Sequence, residues 1–433
     1  MRKIFLCAAL AFALLNSPAF GAALNNNKNN NNAEWVWNVL IVPPDDGWET
    51  ERGRSIKAAL KWEEDEIAQS GRGVAGHDVK FIDINDLAPR EEGTLINPPV
   101  TANNNLRALS NEILNNQRLF NALRSVAANP GRIIAVISFA GTAANQALVS
   151  AIGGNRYLPL FLAYGEDVLI EFNNQPVFNI FALDLFRDYR AQAFALYAAN
   201  SLKPDARIAL AASRFTLNQE REAKLCYNFL EAQHFVPMPF WLDASVRSAF
   251  NMIAQEIESA ADGTVITFLG GMAAREMWRN FMRVRTSWHI WNCSEPDDMY
   301  LSFRGMLFAD QNLFLNDRGG FNALRRSLWS TRAVKVSDNI AAGRTHALVE
   351  WLKRAIFTLA DPQPLDFINI NRTALINTLA SVKDIPFGNQ KLNINPRTHR
   401  PLKRKVFIAD VEQRAYRFLY ELEIASMPYI DLF

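Results

Sequence analysis

The stretch Trp37–Asp86 constrains the fold of this chain most. A short apolar run, Val39–Val42, stops at Pro43-Pro44 and opens into the acidic, aromatic loop Asp45-Asp46-Gly47-Trp48. Ser55–Ala68 then carries Ile56, Ala59, Leu60 and Ile67 on one side at helical spacing, with Glu63, Glu64, Asp65 and Glu66 in an acid cluster. A glycine turn, Gly73–His77, leads into Val79–Ile84, which alternates as a strand does. Two strands joined through a helix of this length form a βαβ unit, which commits the chain to parallel pairing.

The alternation continues. Leu106–Val126 reads as helix, Arg132–Ile137 as a buried strand, the segment from Ala143 as helix, and Leu158–Leu162 and Val177–Phe181 as strands. The pattern then restarts. Helices are expected at Ala191–Asn200, Glu220–Gln233, Ser245–Ala260 and Ala273–Val284. Between them lie strands at Arg207–Ala212, Phe235–Trp241, Thr264–Leu269 and Trp288–Trp291. A long helix, Ala341–Leu359, follows, and the tail from Arg404 reads as an antiparallel pair turning at Glu412-Gln413. The sequence therefore predicts an α/β fold, a parallel sheet with helices on both faces, used twice. Ligands of such sheets bind beyond the carboxyl ends of the strands. That rule selects the loops Pro43–Trp48, Ser138–Thr142, Ala163–Asp167, Gly270–Met272 and Asn292–Asp298.

Residues 1–22 have the three parts of a signal peptide: Arg2 and Lys3, the apolar Ile4–Leu15, and the small residues Ser17–Ala23 around a cleavage point. Export to the periplasm is expected. Residues 23–34 form an asparagine-rich leader with nothing to bury. No later segment has the roughly 18 uninterrupted apolar residues of a membrane span, so no direct membrane insertion is expected. Without Arg2 and Lys3, the 46 Lys and Arg fall to 44, matching the 44 Asp and Glu. A net charge near zero argues against nucleic acid and anionic membrane surfaces as partners. Beyond the signal only Cys226 and Cys293 remain, which export would permit to pair but which cannot make a scaffold. A 433-residue chain is too long for one core, so two domains are expected.

Several chemistries lack their signatures. No glycine-rich loop follows the first strand and no GxxxxGK[ST] occurs, so no nucleotide cofactor is expected. His77, His234, His289, His346 and His399 show no metal-binding spacing, and Cys226 and Cys293 form no CxxC. There is no GxSxG nucleophile elbow. The pairs Asp45-Asp46 and Asp297-Asp298 are read as solvated loop acids or as site carboxylates. No metal, no cofactor and no enzymatic activity are expected.

Five stretches, in order, resemble type I periplasmic solute-binding proteins of the branched-chain amino acid and amide ABC transporter group. They are Val39–Asp86, the strand and helix start IIAVISFAGTAANQAL, RIALAASRFTLNQEREAKLCYNFLEAQHF, ITFLGGMAAREMWRNFMRV, and the tail IPFGNQKLNINPRTHRPLKRKVFIADV. The resemblance covers about Trp37 to Glu423. It implies two Rossmann-like lobes joined by a three-strand hinge, with the ligand cleft between them. Crossings would fall near Phe178–Phe181, Ser302–Phe308 and Lys383–Phe387. Lobe one would be residues 35–180 plus 308–382, and lobe two 181–307 plus 383–433.

The resemblance further implies the family's role: capture of a small polar, amino-acid-like or aromatic ligand by hinge closure, for an ABC permease in the inner membrane, by a monomer. A sensory or accessory binding protein of the same fold is the alternative, and an exported α/β enzyme a remote one. Thr142 matches the family hydroxyl that receives a ligand carboxylate at a helix start, or is an ordinary N-cap. Asp46 and Trp48 in the first loop, Phe139 beside Thr142, and Met272 in the second lobe are further candidates. The family's small-residue loop is replaced here by Ala163–Asp167, where Tyr164 adds bulk and Glu166 adds charge. Glu295, Asp297 or Asp298 would stand where the family places a carboxylate for a ligand ammonium. Trp48, Tyr164 and Trp291 would wall the cleft with aromatic rings or serve lobe packing.

Overall fold

Trp37, Val39 and Ile41 leave β1 (Val36–Val42) on one face, and Leu40 and Val42 leave it on the other. Both faces are buried, as expected of a central parallel strand covered by helices on each side. The structure, a computed structural model, describes residues 36–70, 73–87, 117–128, 130, 132–164, 171–172, 175–183, 187–213, 217–242, 247–269, 271–284, 288–293, 302–310, 339–360, 371–387, 390–397, 399–413 and 415–425. The expected signal peptide and leader lie outside these residues, as does the first half of the expected helix at 106–126.

After β1 come α1 (Glu51–Gln69), β2 (Asp78–Asp83), the single turn α2 (Ile84–Leu87) and α3 (residues 117–128). Next are β3 (Ile133–Ser138), α4 (Thr142–Ile152), β4 (Leu160–Leu162), the small hairpin β5 (Glu171–Phe172) and β6 (Gln175–Pro176), and β7 (Ile180–Ala182). The second half runs α5 (Arg187–Ser201), β8 (Arg207–Ser213), α6 (Leu217–Ala232), β9 (Val236–Leu242), α7 (Arg247–Ala260), β10 (Thr264–Thr267), α8 (Gly271–Val284), β11 (His289–Asn292) and β12 (Met306–Asp310). The chain then forms α9 (Asn339–Ala360), α10 (Arg372–Leu379), the hairpin β13 (Ile385–Phe387) and β14 (Gln390–Leu392), and the pair β15 (Ile394–Asn395) and β16 (Arg400–Pro401). It ends in β17 (Lys403–Glu412) and β18 (Ala415–Ala425).

The first sheet has the order β2-β1-β3-β4-β7, all parallel. The second has the order β18-β17-β12-β11-β10-β8-β9, in which β9 to β12 are parallel and β17 and β18 are added antiparallel. Counted within each half, both parallel parts read 2-1-3-4-5, a doubly wound order. Each therefore has a topological switch point, between β1 and β3 and between β8 and β10. The expected fold class, including its repetition, is the one observed.

Alternation along the strands sorts the core. In the first sheet Phe161, Phe181 and Ile137 face α1, α9 and α10, while Leu160, Leu162, Val136 and Ile180 face α3 and α4. In the second sheet Val265, Ile290 and Phe308 face α7 and α8. Ile208, Leu210, Ile266 and Ile408 face α5 and α6, in a cluster continuous with that of the first sheet. Cys226 and Cys293 are free, buried thiols within that cluster. Among the described residues no helix is long and apolar enough to cross a membrane.

The chain passes between the sheets three times, after β7, after β12 and before β17. Two expected lobe boundaries move. The first lobe does not resume at 308, because Phe308–Asp310 pair with β17 in the second sheet. The second does not resume at 383, because Ile385, Phe387, Leu392 and Ile394 bury their side chains in the core beneath α9. The first and third crossings are tied together. The Tyr189 hydroxyl donates to the Pro401 carbonyl at 2.6 Å, and Arg404 Nη2 donates to the Leu183 carbonyl at 2.8 Å. The ring of His399 stacks on Phe181 with centroids 5.1 Å apart.

Candidate functional site

The switch point of the first sheet is built from three loops. After β1, Pro44-Asp45-Asp46-Gly47 form a turn closed by Gly47 N–H on the Pro44 carbonyl at 2.9 Å, with Gly47 at φ +83°. A left-handed residue is needed there, and glycine supplies it without strain. Thr50 then caps α1: its Oγ1 accepts from Gly53 N–H at 3.0 Å and donates to the Gly47 carbonyl at 3.0 Å. The turn is thus fastened to the helix that follows, and Asp45 and Asp46 are held at the surface, exposed.

The loops after β3 and β4 are fastened by a buried amide. Asn145, fully buried on α4, accepts from Ser138 Oγ at 2.6 Å through Oδ1. Its Nδ2 donates to the carbonyls of Ala140 at 2.9 Å and Tyr164 at 2.8 Å. Three of the four hydrogen bonds an Asn side chain can make are present, as burial demands. Asn145 was not marked by the sequence reading. Its one signal is a polar residue among the small apolar positions of Thr142–Ile152, and Asn there is equally at home on a solvated face.

Asp45 crosses the switch point. Its Oδ2 accepts from Gly141 N–H at 2.9 Å, across 96 residues of sequence. Gly141 is the N-cap of α4, and no side chain of its own segment caps that helix. The Asp45 carboxylate takes that place, on a free N–H at the positive end of the helix dipole. A Cβ on Gly141 would lie 2.4 Å from Asp45 Oδ2, so the contact depends on glycine.

The expected site residues separate into groups. Tyr164 is half-buried beside the switch point, its ring flanked by Arg344 at 4.5 Å and Arg52 at 5.2 Å from the centroid. Cations at these distances are attracted to the face of the ring. Trp48 is half-buried and turns sideways: its Nε1 donates to Asp83 Oδ2 and Lys57 Nζ sits 5.3 Å from its ring. It lines a cavity of about 180 Å³ with Ile41, Leu60, Phe81 and Asp83, between α1 and β2.

Two candidates lie in the core. Phe139 continues the alternation of β3 onto the α1 and α9 face and is buried there, not exposed to a ligand. Trp291 points from the middle of β11 toward α5, stacks on Phe194 with centroids 5.6 Å apart, and meets Tyr197 edge-on at 5.3 Å. It is packing, not an open aromatic wall. Asp46 is exposed on the first loop. Thr142 is the first residue of α4 and Met272 the second of α8; their side chains, and all of Glu166 and Glu295, lie outside what is described.

Away from the strand ends, Glu63 of α1 is fully buried against α9, bonded to His346 Nδ1 and 3.5 Å from Lys353 Nζ. Glu63, His346 and Glu350 bring potential ligand atoms within 4.8 Å of one another. Lys353 already stands among them, paired with both carboxylates. Burial works to lower its pKa, but Glu63 and Glu350 together raise it above the usual lysine range. The group is an ion-paired link between two helices.

No protein-family model matches the sequence, and no curated protein does. Solved structures do. A leucine-binding protein from Thermotoga maritima superposes with a TM-score of 0.65 at 12% identity, covering 89% of this chain and 99% of that one. An ABC transporter substrate-binding protein from Desulfitobacterium hafniense, in complex with Leu, gives 0.66 at 12%, covering 89% and 100%. A solute-binding protein of an ABC transporter from R. palustris, in complex with 4-hydroxybenzoate, gives 0.64 at 14%, covering 92% and 99%. These similar structures are binding proteins, and the chain has their fold, that of the type I periplasmic binding proteins.

Proposed function

We propose that this chain is a non-enzymatic, periplasmic solute-binding protein that captures a small ligand between its two lobes and presents it to an ABC permease. The observation that carries the reading is the doubled 2-1-3-4-5 sheet with three passages of the chain between the halves. Two switch points on two lobes joined by narrow crossings are the parts a hinge-closing binder needs. The similar structures hold leucine and 4-hydroxybenzoate, which supports a small organic ligand, amino-acid-like or aromatic. Asp46, Trp48, Tyr164, Thr142 and Glu166 remain the proposed first-lobe contacts, with Met272 and Glu295 in the second.

A monomer is proposed on the character of the sheet edges. Strand β9 carries Pro237 and Pro239, and the pairing of β18 with β17 shifts register between Ile408 and Ala409, passing over Leu419. Prolines and bulges at edges discourage pairing between copies.

Native mass spectrometry of the purified protein identifies the molecule it carries. Added back at 100 times its dissociation constant, that molecule should stabilise the fold by about 2.7 kcal/mol and reduce the radius of gyration in small-angle scattering. Identical scattering with and without bound ligand would reject closure.

A further inference from the structure

We propose that Asp45 is a specificity-determining residue which makes the first-lobe half of the site select a hydrogen-bond donor or cationic group and disfavour a free carboxylate. The inference rests on the reading of the β1/β3 switch point as the ligand site.

Three observations carry it. First, the Gly141 N–H at the start of α4 is already bonded by the Asp45 carboxylate at 2.9 Å. A ligand carboxylate arriving at that helix end must displace a group of its own charge. Second, Asp45 is held in place from both sides. The Pro44–Gly47 turn is closed on itself and tied to the α1 cap, while Asn145 pins Ala140, just before Gly141, and Tyr164 of the β4 loop to α4. Third, Asp45 is exposed and makes no other hydrogen bond or ion pair among the described residues, so its second oxygen is left to accept. Asp46 adjoins it, also exposed. A carboxylate oriented by one amide and open on its other side suits an ammonium, amidine, guanidinium or amide N–H. Tyr164, at the neighbouring loop, offers a ring to the ligand's apolar part. Its two arginines place positive charge on that ring.

The test uses a pair of probes of one shape and opposite charge, benzamidine and benzoate, each titrated into the ¹⁵N-labelled protein and followed at the Gly141 backbone amide. The variants are Asp45→Asn, which keeps an acceptor for Gly141 N–H, and Asp45→Ala, which does not. In the unaltered protein benzamidine should shift the Gly141 signal saturably, and benzoate should bind at least tenfold more weakly. Asp45→Asn should weaken benzamidine at least tenfold, and Asp45→Ala should let benzoate shift Gly141. The proposal is overturned if benzoate binds the unaltered protein as well as benzamidine does. It is equally overturned if neither variant changes the preference, or if neither probe moves Gly141 in any of the three proteins. A failure of the two-lobe reading looks different: the preference at Gly141 persists while the naturally carried molecule produces no change in scattering.

Discussion

Single residues around the switch point act through what they hold. Asn145→Ala would strand the Ser138 hydroxyl and the carbonyls of Ala140 and Tyr164, all hydrogen-bonded to it now. Unsatisfied buried groups cost about 1–3 kcal/mol each, so urea denaturation should register a loss of about 3 kcal/mol. Gly141→Ala places a Cβ at 2.4 Å from Asp45 Oδ2, and the carboxylate must swing away. Loss of that cap should cost about 1 kcal/mol, and the variant should show the benzoate binding expected of Asp45→Ala. His399 makes stability depend on pH. Burial lowers its pKa below 6.5, only partly countered by the carbonyls of Ile180 and Val177. The unfolded chain then takes up a proton near pH 6.5 that the folded chain refuses, so stability is lost as pH falls from about 6.5 toward the lower folded value. Asn tolerates the positive φ of residue 399, and His399→Asn should have a flatter urea-midpoint profile between pH 7.5 and 5. Residue-level legibility was uneven. The loop holding Asp45 was evident from the strand that ends before it, but its bond to Gly141 spans 96 residues and has no local signature. Whether Trp291 walls the cleft or packs within a lobe is not legible either, because the sequence does not say which face of β11 it occupies.

Elements were more legible than their pairings. Helix and strand periods predicted α1, α6, α7, α8 and α9 and the strands between them, since each period is a property of neighbouring residues. The link between α1 and α9 was not visible, because Glu63 reads as one acid among four. It is instead fully buried, facing His346 and Lys353 across 283 and 290 residues. Removing one partner of a buried pair leaves a charge uncompensated and costs about 3–5 kcal/mol. Lys353→Met should therefore destabilise the protein by about 3 kcal/mol in urea, and Glu63→Gln added to it should recover part of that loss. The lobe boundaries moved for the same reason: Ile385–Ile394 is short and apolar, and only its burial beneath α9 assigns it to the first lobe.

For the whole molecule, the proposed closure would turn on the crossings between the lobes. Tyr189 and Arg404 bind the first crossing to the third through backbone carbonyls, at 2.6 and 2.8 Å. Tyr189→Phe removes one such bond, worth about 1 kcal/mol. It should shift the open–closed balance of the ligand-free protein, read as a changed radius of gyration and a changed apparent affinity for the carried molecule. The sequence by itself determined the fold class and its repetition. Those follow from periodicity and from where strands end, both of them local. Tertiary structure alone decided the order of the strands, the face each aromatic takes, the lobe to which each late segment belongs and the occupant of the α4 helix start. Each of those is a contact between residues far apart in the chain, fixed by which surfaces bury together and not by neighbours in sequence.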